Sequence, residues 1–341
     1  MGERPFSVAA ADLNGDGKLD LVVADSDHHS AGPGHGGTGQ LGPDTVAILY
    51  GNGDGTFQAP VELSAGGHPR SVVIGDFVGN GRLDIAVANE LSNTVSVYFQ
   101  NSNGTFPSSP SANYAAGPGP WYLVEGDFNR DGKLDLAVAD VASNTVSVLL
   151  NNGNGSFAPA VSYTVGSAPQ SIAVADFNGD GKLDLAVSNG GSNTVSILPG
   201  NGDGTFGPAV NFAVGNPAGI AAGDFNGDGH PDLAVANFAS DTVTVLLDTA
   251  TTENTPLTIN GITAALAPGD GDDALSMSLS VAHGTLALHS SSGLSGTLTG
   301  ATLSFTGSQS AISTALASGV IYTPANEYEG ADTLTVTATD T

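Results

Sequence analysis

Five stretches of nine residues place aspartate and asparagine at alternate positions and glycine at the sixth, in the fullest form Asp176-Phe-Asn178-Gly-Asp180-Gly-Lys182-Leu-Asp184. They begin at Asp12, Asp76, Asp127, Asp176 and Asp224. Side-chain oxygens at positions 1, 3, 5 and 9, a backbone carbonyl at 7 and a sharp turn at 6 form the donor pattern of a hard cation, calcium above all. The candidate ligands are Asp12, Asn14, Asp16, Lys18 and Asp20 in the first loop and Asp76, Asn80, Arg82 and Asp84 in the second. In the third they are Asp127, Asn129, Asp131, Lys133 and Asp135; in the fourth Asp176, Asn178, Asp180, Lys182 and Asp184; in the fifth Asp224, Asn226, Asp228, His230 and Asp232. The residue at position 7 counts through its carbonyl, because lysine, arginine and histidine side chains offer no oxygen.

Aspartate, asparagine and glycine are also ordinary turn formers. A turn does not require a further carboxylate at position 9 in every copy, and carboxylates crowded this closely repel without a cation. The expectation is therefore about four to five structural calcium ions. The pattern departs from an EF-hand at position 12, where Val23 and Val187 stand in place of glutamate. The second loop is the weak one, with Val78 at position 3 and Asn80 at position 5. Arg130 replaces glycine at position 4 of the third loop and is expected to point outward with little consequence.

Around each loop the chain repeats itself. The steps between loop starts are 64, 51, 49 and 48 residues, and removing an insertion of about 15 between Asp25 and Thr45 brings the first to about 49. A period of this length points to a propeller or solenoid. Within the fourth repeat, Ser171–Asp176, Leu183–Ser188, Asn193–Leu198 and Phe206–Val214 read as four short strands joined by glycine-rich hairpins. Helical periodicity is absent across these repeats. The expected fold is all-β, a propeller of four-stranded blades over residues 2–248, with five repeats visible as part of a larger ring. Phe57, Phe106, Phe157 and Phe206 recur in register and are expected to fill the gaps between blades. The fifth repeat stops after its third strand, Thr242–Leu247, and its fourth is not recognisable.

The string Val174 to Val187, Val-Ala-Asp-Phe-Asn-Gly-Asp-Gly-Lys-Leu-Asp-Leu-Ala-Val, resembles the FG-GAP-like or VCBS repeat and is similar to the calcium-binding blades of integrin α-chain propellers. The resemblance implies that the loop joins the first and second strands of a blade and binds calcium through its Asp and Asn positions. After a polar linker at 249–256, residues 257–341 read as a small β-sandwich, with one helical turn at Ala311–Ala317. Leu279-Ser-Val-Ala-His-Gly-Thr-Leu286, Tyr322-Thr-Pro-Ala-Asn326 and Gly330-Ala-Asp-Thr-Leu-Thr-Val336 resemble bacterial cadherin-like modules. Asp270, Asp272, Asp273 and Asp340 are candidates for an inter-module calcium site.

Composition narrows the function. The net charge is −27, with only seven Lys and Arg residues, so phosphate backbones lack partners and nucleic acid is excluded. No run of apolar residues is long enough to span a membrane, which argues against insertion. No cysteine is present for disulfides or thiolate sites. No nucleophile, base and orienting acid can be picked out, so the chain is read as no enzyme. The reading is a calcium-binding extracellular module for adhesion or for protein or glycan binding, a piece of a larger multidomain protein. The alternative is a lectin, with Trp121 and Tyr122 as platform, or a polysaccharide-active enzyme. His28, His29 and His35, in the first repeat's insertion, form a candidate contact loop. Calcium sites of about 10⁻⁴ to 10⁻³ M affinity suit the calcium level outside cells.

Overall fold

The computed structural model describes residues 4–26, 44–227, 229–247, 257–259, 275–281, 284–324 and 333–340. The linker at 249–256, the insertion histidines His28, His29 and His35, the loop residue Asp228, and Asp270, Asp272 and Asp273 lie outside them.

Each of the first four repeats folds into four antiparallel strands hydrogen-bonded in chain order. In the first the strands are Pro5–Ala11, Asp20–Asp25, Thr45–Leu49 and Val61–Ser64; in the second Pro69–Gly75, Asp84–Asn89, Thr94–Tyr98 and Ala112–Ala115. The third has Pro120–Gly126, Asp135–Asp140, Thr145–Leu149 and Val161–Thr164, and the fourth Pro169–Ala175, Asp184–Asn189, Thr194–Leu198 and Val210–Ala213. The acidic loop is the hairpin between first and second strands each time. Proline opens every first strand, the place in a strand that tolerates a missing N–H. These repeated sheets are propeller blades, as expected.

The residues form two compact units. The first comprises the chain up to Val174 with Leu185–Ser192 and Ser196–Asn211. Its blades meet face to face through small and branched side chains. Ala86, Ala88, Val95 and Val97 of the second blade pack on Leu123, Leu136, Val138 and Leu149 of the third. Phe157 plugs this seam, edge-on to Phe77 and Tyr114, and Phe206 sits likewise on Phe128 and Tyr163. Phe57 departs from the expectation for its class, since it is 41% exposed.

The second unit holds the fourth acidic loop, the fifth repeat and the C-terminal residues. The fifth repeat supplies Pro217–Gly223, Asp232–Asn237 and Thr242–Leu246. Its fourth strand comes from the far end of the sequence: Thr333–Asp340 pairs antiparallel with Thr242–Leu246 and on its other edge with Leu275–Ser280. A seven-stranded sheet results, continued by Thr302–Gly307 and Ser295–Thr297. A second sheet, of Leu257–Ile259, Val320–Pro324, Gly284–Leu288 and Thr299–Gly300, completes the strands. Met277, Leu279, Leu286, Phe305, Val320 and Tyr322 share one core with Val245 of the fifth repeat. The helical turn foreseen at Ala311–Ala317 is a helix, Gln309–Ala317, capped by the Ser308 side chain on the Ala311 N–H.

A polar rung crosses each blade near the end of its second strand. Asn89 Nδ2 donates to Ser96 Oγ at 2.9 Å, which donates to Asn113 Oδ1 at 2.6 Å. Asn189, Ser196 and Asn211 repeat the arrangement, and Asn237 donates to Thr244 Oγ1. The third blade reverses it: Asp140 cannot donate as a carboxylate, and Ser147 Oγ donates to it at 2.6 Å. Asp140 is fully buried with Oδ1 unpartnered, and burial pushes its carboxyl up to about 6 from an ordinary 3.8.

Because that shift is upward, the native state holds the proton through the interval between these values. The stability it contributes is complete below about pH 4 and is lost as pH rises through 6, roughly 3 kcal/mol for a shift of about two units. Asp140→Asn restores the donor used in the second and fourth blades. Urea denaturation of the variant is expected to show a gain of up to about 3 kcal/mol at pH 7.5 and a smaller loss between pH 4 and 7.

Candidate metal loops and their buried clamp

In every loop the chain coils around the carboxylate at position 1. Asp12 accepts the N–H groups of Gly15, Asp16 and Gly17 at 2.7 to 3.1 Å, and Asp76 accepts those of Gly79, Asn80 and Gly81. Asp127, Asp176 and Asp224 do the same with the amides available to them. Burial works against the Asp76 charge, but these N–H donors outweigh it and hold the carboxyl below the usual range. Positions 3 and 5 each accept an N–H two residues on, as Asn14 does from Asp16 and Asp16 from Lys18. Asn129, Asp131, Asn178, Asp180 and Asn80 follow the same rule.

Glycine at position 6 has φ of +79° to +89°, the left-handed region that a side chain resists. Position 4 requires the same conformation. Gly15, Gly79, Gly179 and Gly227 have φ of +71° to +80°, and Arg130 is held there at +61°. The expectation that Arg130 is of little consequence is therefore corrected: it carries backbone strain that glycine would relieve.

Position 9 has a different setting. Asp20, Asp84, Asp135, Asp184 and Asp232 are buried, and Oδ2 of each accepts the N–H of the residue at position 2, Leu13, Phe77, Phe128, Phe177 or Phe225, at 2.9 to 3.1 Å. In the first three blades Oδ1 accepts a second N–H from the third-strand hairpin, Gly51, Gln100 or Asn151. The same hairpin reaches the neighbouring blade. Gln100 Nε2 donates to the Leu13 carbonyl at 2.6 Å and Asn151 Nδ2 to the Phe77 carbonyl at 3.0 Å, so each clamp also ties one loop to the next. Burial raises the Asp84 carboxyl and pushes that of Asp135 up to about 6, with repulsion from Asp131 and Asp127 adding to it.

Among the described residues no three acidic or imidazole side chains already converge as a metal cluster. The lysines at position 7 fold back as counterions instead: Lys133 Nζ lies 2.8 Å from Asp131 Oδ2, Lys182 Nζ 2.8 Å from Asp180 Oδ2 and Lys18 Nζ 3.6 Å from Asp16 Oδ2. Arg82 turns to the Gln100 carbonyl. The donor chemistry still fits a hard cation. Positions 1, 3 and 5 present exposed amide and carboxylate oxygens, a carboxylate has about four lone-pair sites, and the amides do not exhaust them.

The other end of the blades holds a constellation that sequence reasoning missed. The Arg70 guanidinium lies between the Phe6 ring, 4.1 Å from its centroid, and the Trp121 ring, at 4.0 Å. Glu90 Oε2 accepts from Arg70 Nε and meets His68 Nδ1, both at 2.6 Å. Trp121, singled out as a sugar platform, thus has one face already covered. The available signal was that Phe6, Arg70 and Trp121 share one repeat position yet differ in type.

FG-GAP-like repeat models match residues 36–87, 76–138, 127–187 and 176–235, and an FG-GAP repeat model matches 5–41. No curated protein matches the sequence. Three solved structures are similar in fold. A functionally unknown protein from Desulfotomaculum acetoxidans is 16% identical, with a TM-score of 0.50 over 71% of this chain and 68% of that one. A protein from Lactobacillus plantarum is 19% identical, with a TM-score of 0.52 over 76% and 70%. A periplasmic gluconolactonase from Pseudomonas aeruginosa is 20% identical, with a TM-score of 0.52 over 72% and 66%. The last of these overturns the reading of the chain as no enzyme, because this fold is used by a protein named for a catalytic activity. Among the described residues no helix is long and apolar enough to cross a membrane.

If position 9 is chiefly a clamp, its removal must be felt without any metal. Asp135→Ala strands the N–H groups of Phe128 and Asn151 and is expected to lower stability by about 2–6 kcal/mol in urea with chelator present. Asp131→Ala, at the exposed rim, leaves stability nearly unchanged under the same conditions.

Proposed function

We propose that this chain, which belongs to the FG-GAP-like repeat family, is a calcium-loaded binding module that works outside the cytoplasm. The observation that carries this reading is the crowding of exposed oxygens at positions 1, 3 and 5 above a buried carboxylate, with lysine as the resident counterion in three loops. A divalent ion would supply a stronger positive charge there and additional oxygen bonding. Asp12, Asn14 and Asp16 and their equivalents would hold it, with the carbonyl of Lys18, Arg82, Lys133, Lys182 or His230. The position 9 carboxylate would share a lone pair while keeping its amide partners.

The chain's own part is to keep the loop coiled around position 1 and pinned by position 9, so little ordering is left to cost binding. Lys18, Lys133 and Lys182 would swing outward as the ion takes over the charge at position 5. Weak affinity of about 10⁻⁴ to 10⁻³ M supports an extracellular or periplasmic setting, where calcium is abundant. The partner would be a protein or a glycan. A groove of about 450 Å³ between the second and third blades, edged by Asn113, Ser147 and Ser162, offers neutral hydrogen-bonding groups to such a ligand.

Calorimetric titration of the chelator-treated chain is expected to give about four to five calcium ions, with the loop of Asp76, Asn80 and Asp84 weakest. Each site filled at ten times its Kd adds about 1.4 kcal/mol, so chelation should lower the melting temperature by several degrees. An unchanged melting curve would remove the reading.

A further inference from the structure

The repeats allow one blade face to be compared with its equivalents. In the second and third blades the face turned toward the preceding blade is buried: Val72 is 5% and Leu123 1% exposed, and Phe157 is 6%. At the same positions in the first blade, Val8 is 61% and Phe57 41% exposed. Leu19, whose counterpart Leu134 packs into the seam between second and third blades, is 66% exposed. The opposite kind of face shows the reverse contrast. Val73, Ala88 and Val95 of the second blade are buried under the third, whereas Ala221, Ala236 and Val243 of the fifth repeat are exposed. Only the outer part of that fifth face, at Val245, lies in the core of the C-terminal sheets.

The chain therefore carries both halves of an interface that it already makes between its first and second and its second and third blades, each half uncovered. We propose that copies of this chain associate head to tail. The face of Val8, Leu19 and Phe57 seats on the face of Ala221, Ala236 and Val243 of a second copy, continuing the established blade-on-blade contact by one step. Branched and aromatic side chains meet small ones there, as in the seam of Leu123 and Phe157 against Ala86 and Ala88. A contact between two different faces of one molecule is heterologous, so it builds closed rings or open chains of copies. Neither face needs a partner of another kind to be satisfied.

The test is sedimentation velocity of the full chain over about a hundredfold concentration range. Concentration-dependent oligomers are expected. Val8→Asp blocks one face and Val243→Asp the other; both positions are already exposed, so the fold should survive, which circular dichroism checks. Each variant alone should be monomeric, and an equimolar mixture should form one-to-one dimers, since each retains the face the other lacks. Val161→Asp, exposed like its equivalents Val61 and Val210, should leave association intact. A wild-type chain monomeric throughout overturns the proposal, as does association unaffected by Val8→Asp or variants that fail to complement.

Discussion

Every blade depends on one desolvated carboxylate. The aspartate at position 9 brings a charge into the interior because two strands leave unpaired N–H groups there. Its two oxygens meet the amide at position 2 and, in the first three blades, an amide of the third-strand hairpin. Desolvation makes the ion expensive, as the raised titration of Asp135 records. The unpaired amides would cost more, and an asparagine could accept from only one of the two without turning its own N–H₂ against the other. The choice of Asp at all five positions follows from this double acceptance as directly as from any metal.

Two layers of the loop are therefore separable. The inner layer, position 9 and its amides, is settled by backbone geometry and fixes where the hairpin sits. In the outer layer, at positions 1, 3 and 5, the oxygens remain accessible and their charge is met by a lysine in three of the loops. A cation acting on the outer layer would stiffen a loop whose course is already set. This division lets the second loop, with fewer carboxylates, keep the same coil around Asp76 as its fuller relatives.

Most of this order was legible in the sequence because it is local. Strand alternation, hairpin glycines and the period of the acidic loops gave the four-stranded blades, and the left-handed glycine at position 6 was visible as invariance across five copies. What escaped was non-local or concerned lone pairs. Residue type identifies Asp20 or Asp135 as a ligand but not which donor is nearest, so the clamp was read as a metal shell. Four glycines at position 4 implied the positive φ that Arg130 must adopt, a signal overlooked because only the side chain was considered. The outer strand of the fifth repeat lies about 90 residues downstream, at Thr333–Asp340, where no pattern of adjacency could link it to Thr242–Leu246. Arg70 between Phe6 and Trp121 joins three blades and no local window contains it.

Repetition itself explains why unlike residues gather at one end of the blades. Where the loops sit, each copy must solve the same hydrogen-bonding problem, and the solutions are nearly identical. At the start of the first strands no backbone group demands a given side chain, so Phe6, Arg70, Trp121, Gln170 and Ala218 differ freely. His68 keeps a positive φ of 59° there, at the position where the third blade uses Gly119, while its ring is held by Glu90 and packs edge-on to Phe6. Strain retained at a position that tolerates glycine is balanced by the contacts of the side chain. The array thus has a constrained end that makes the blades and an unconstrained end where differences between copies can accumulate and a particular surface can be written.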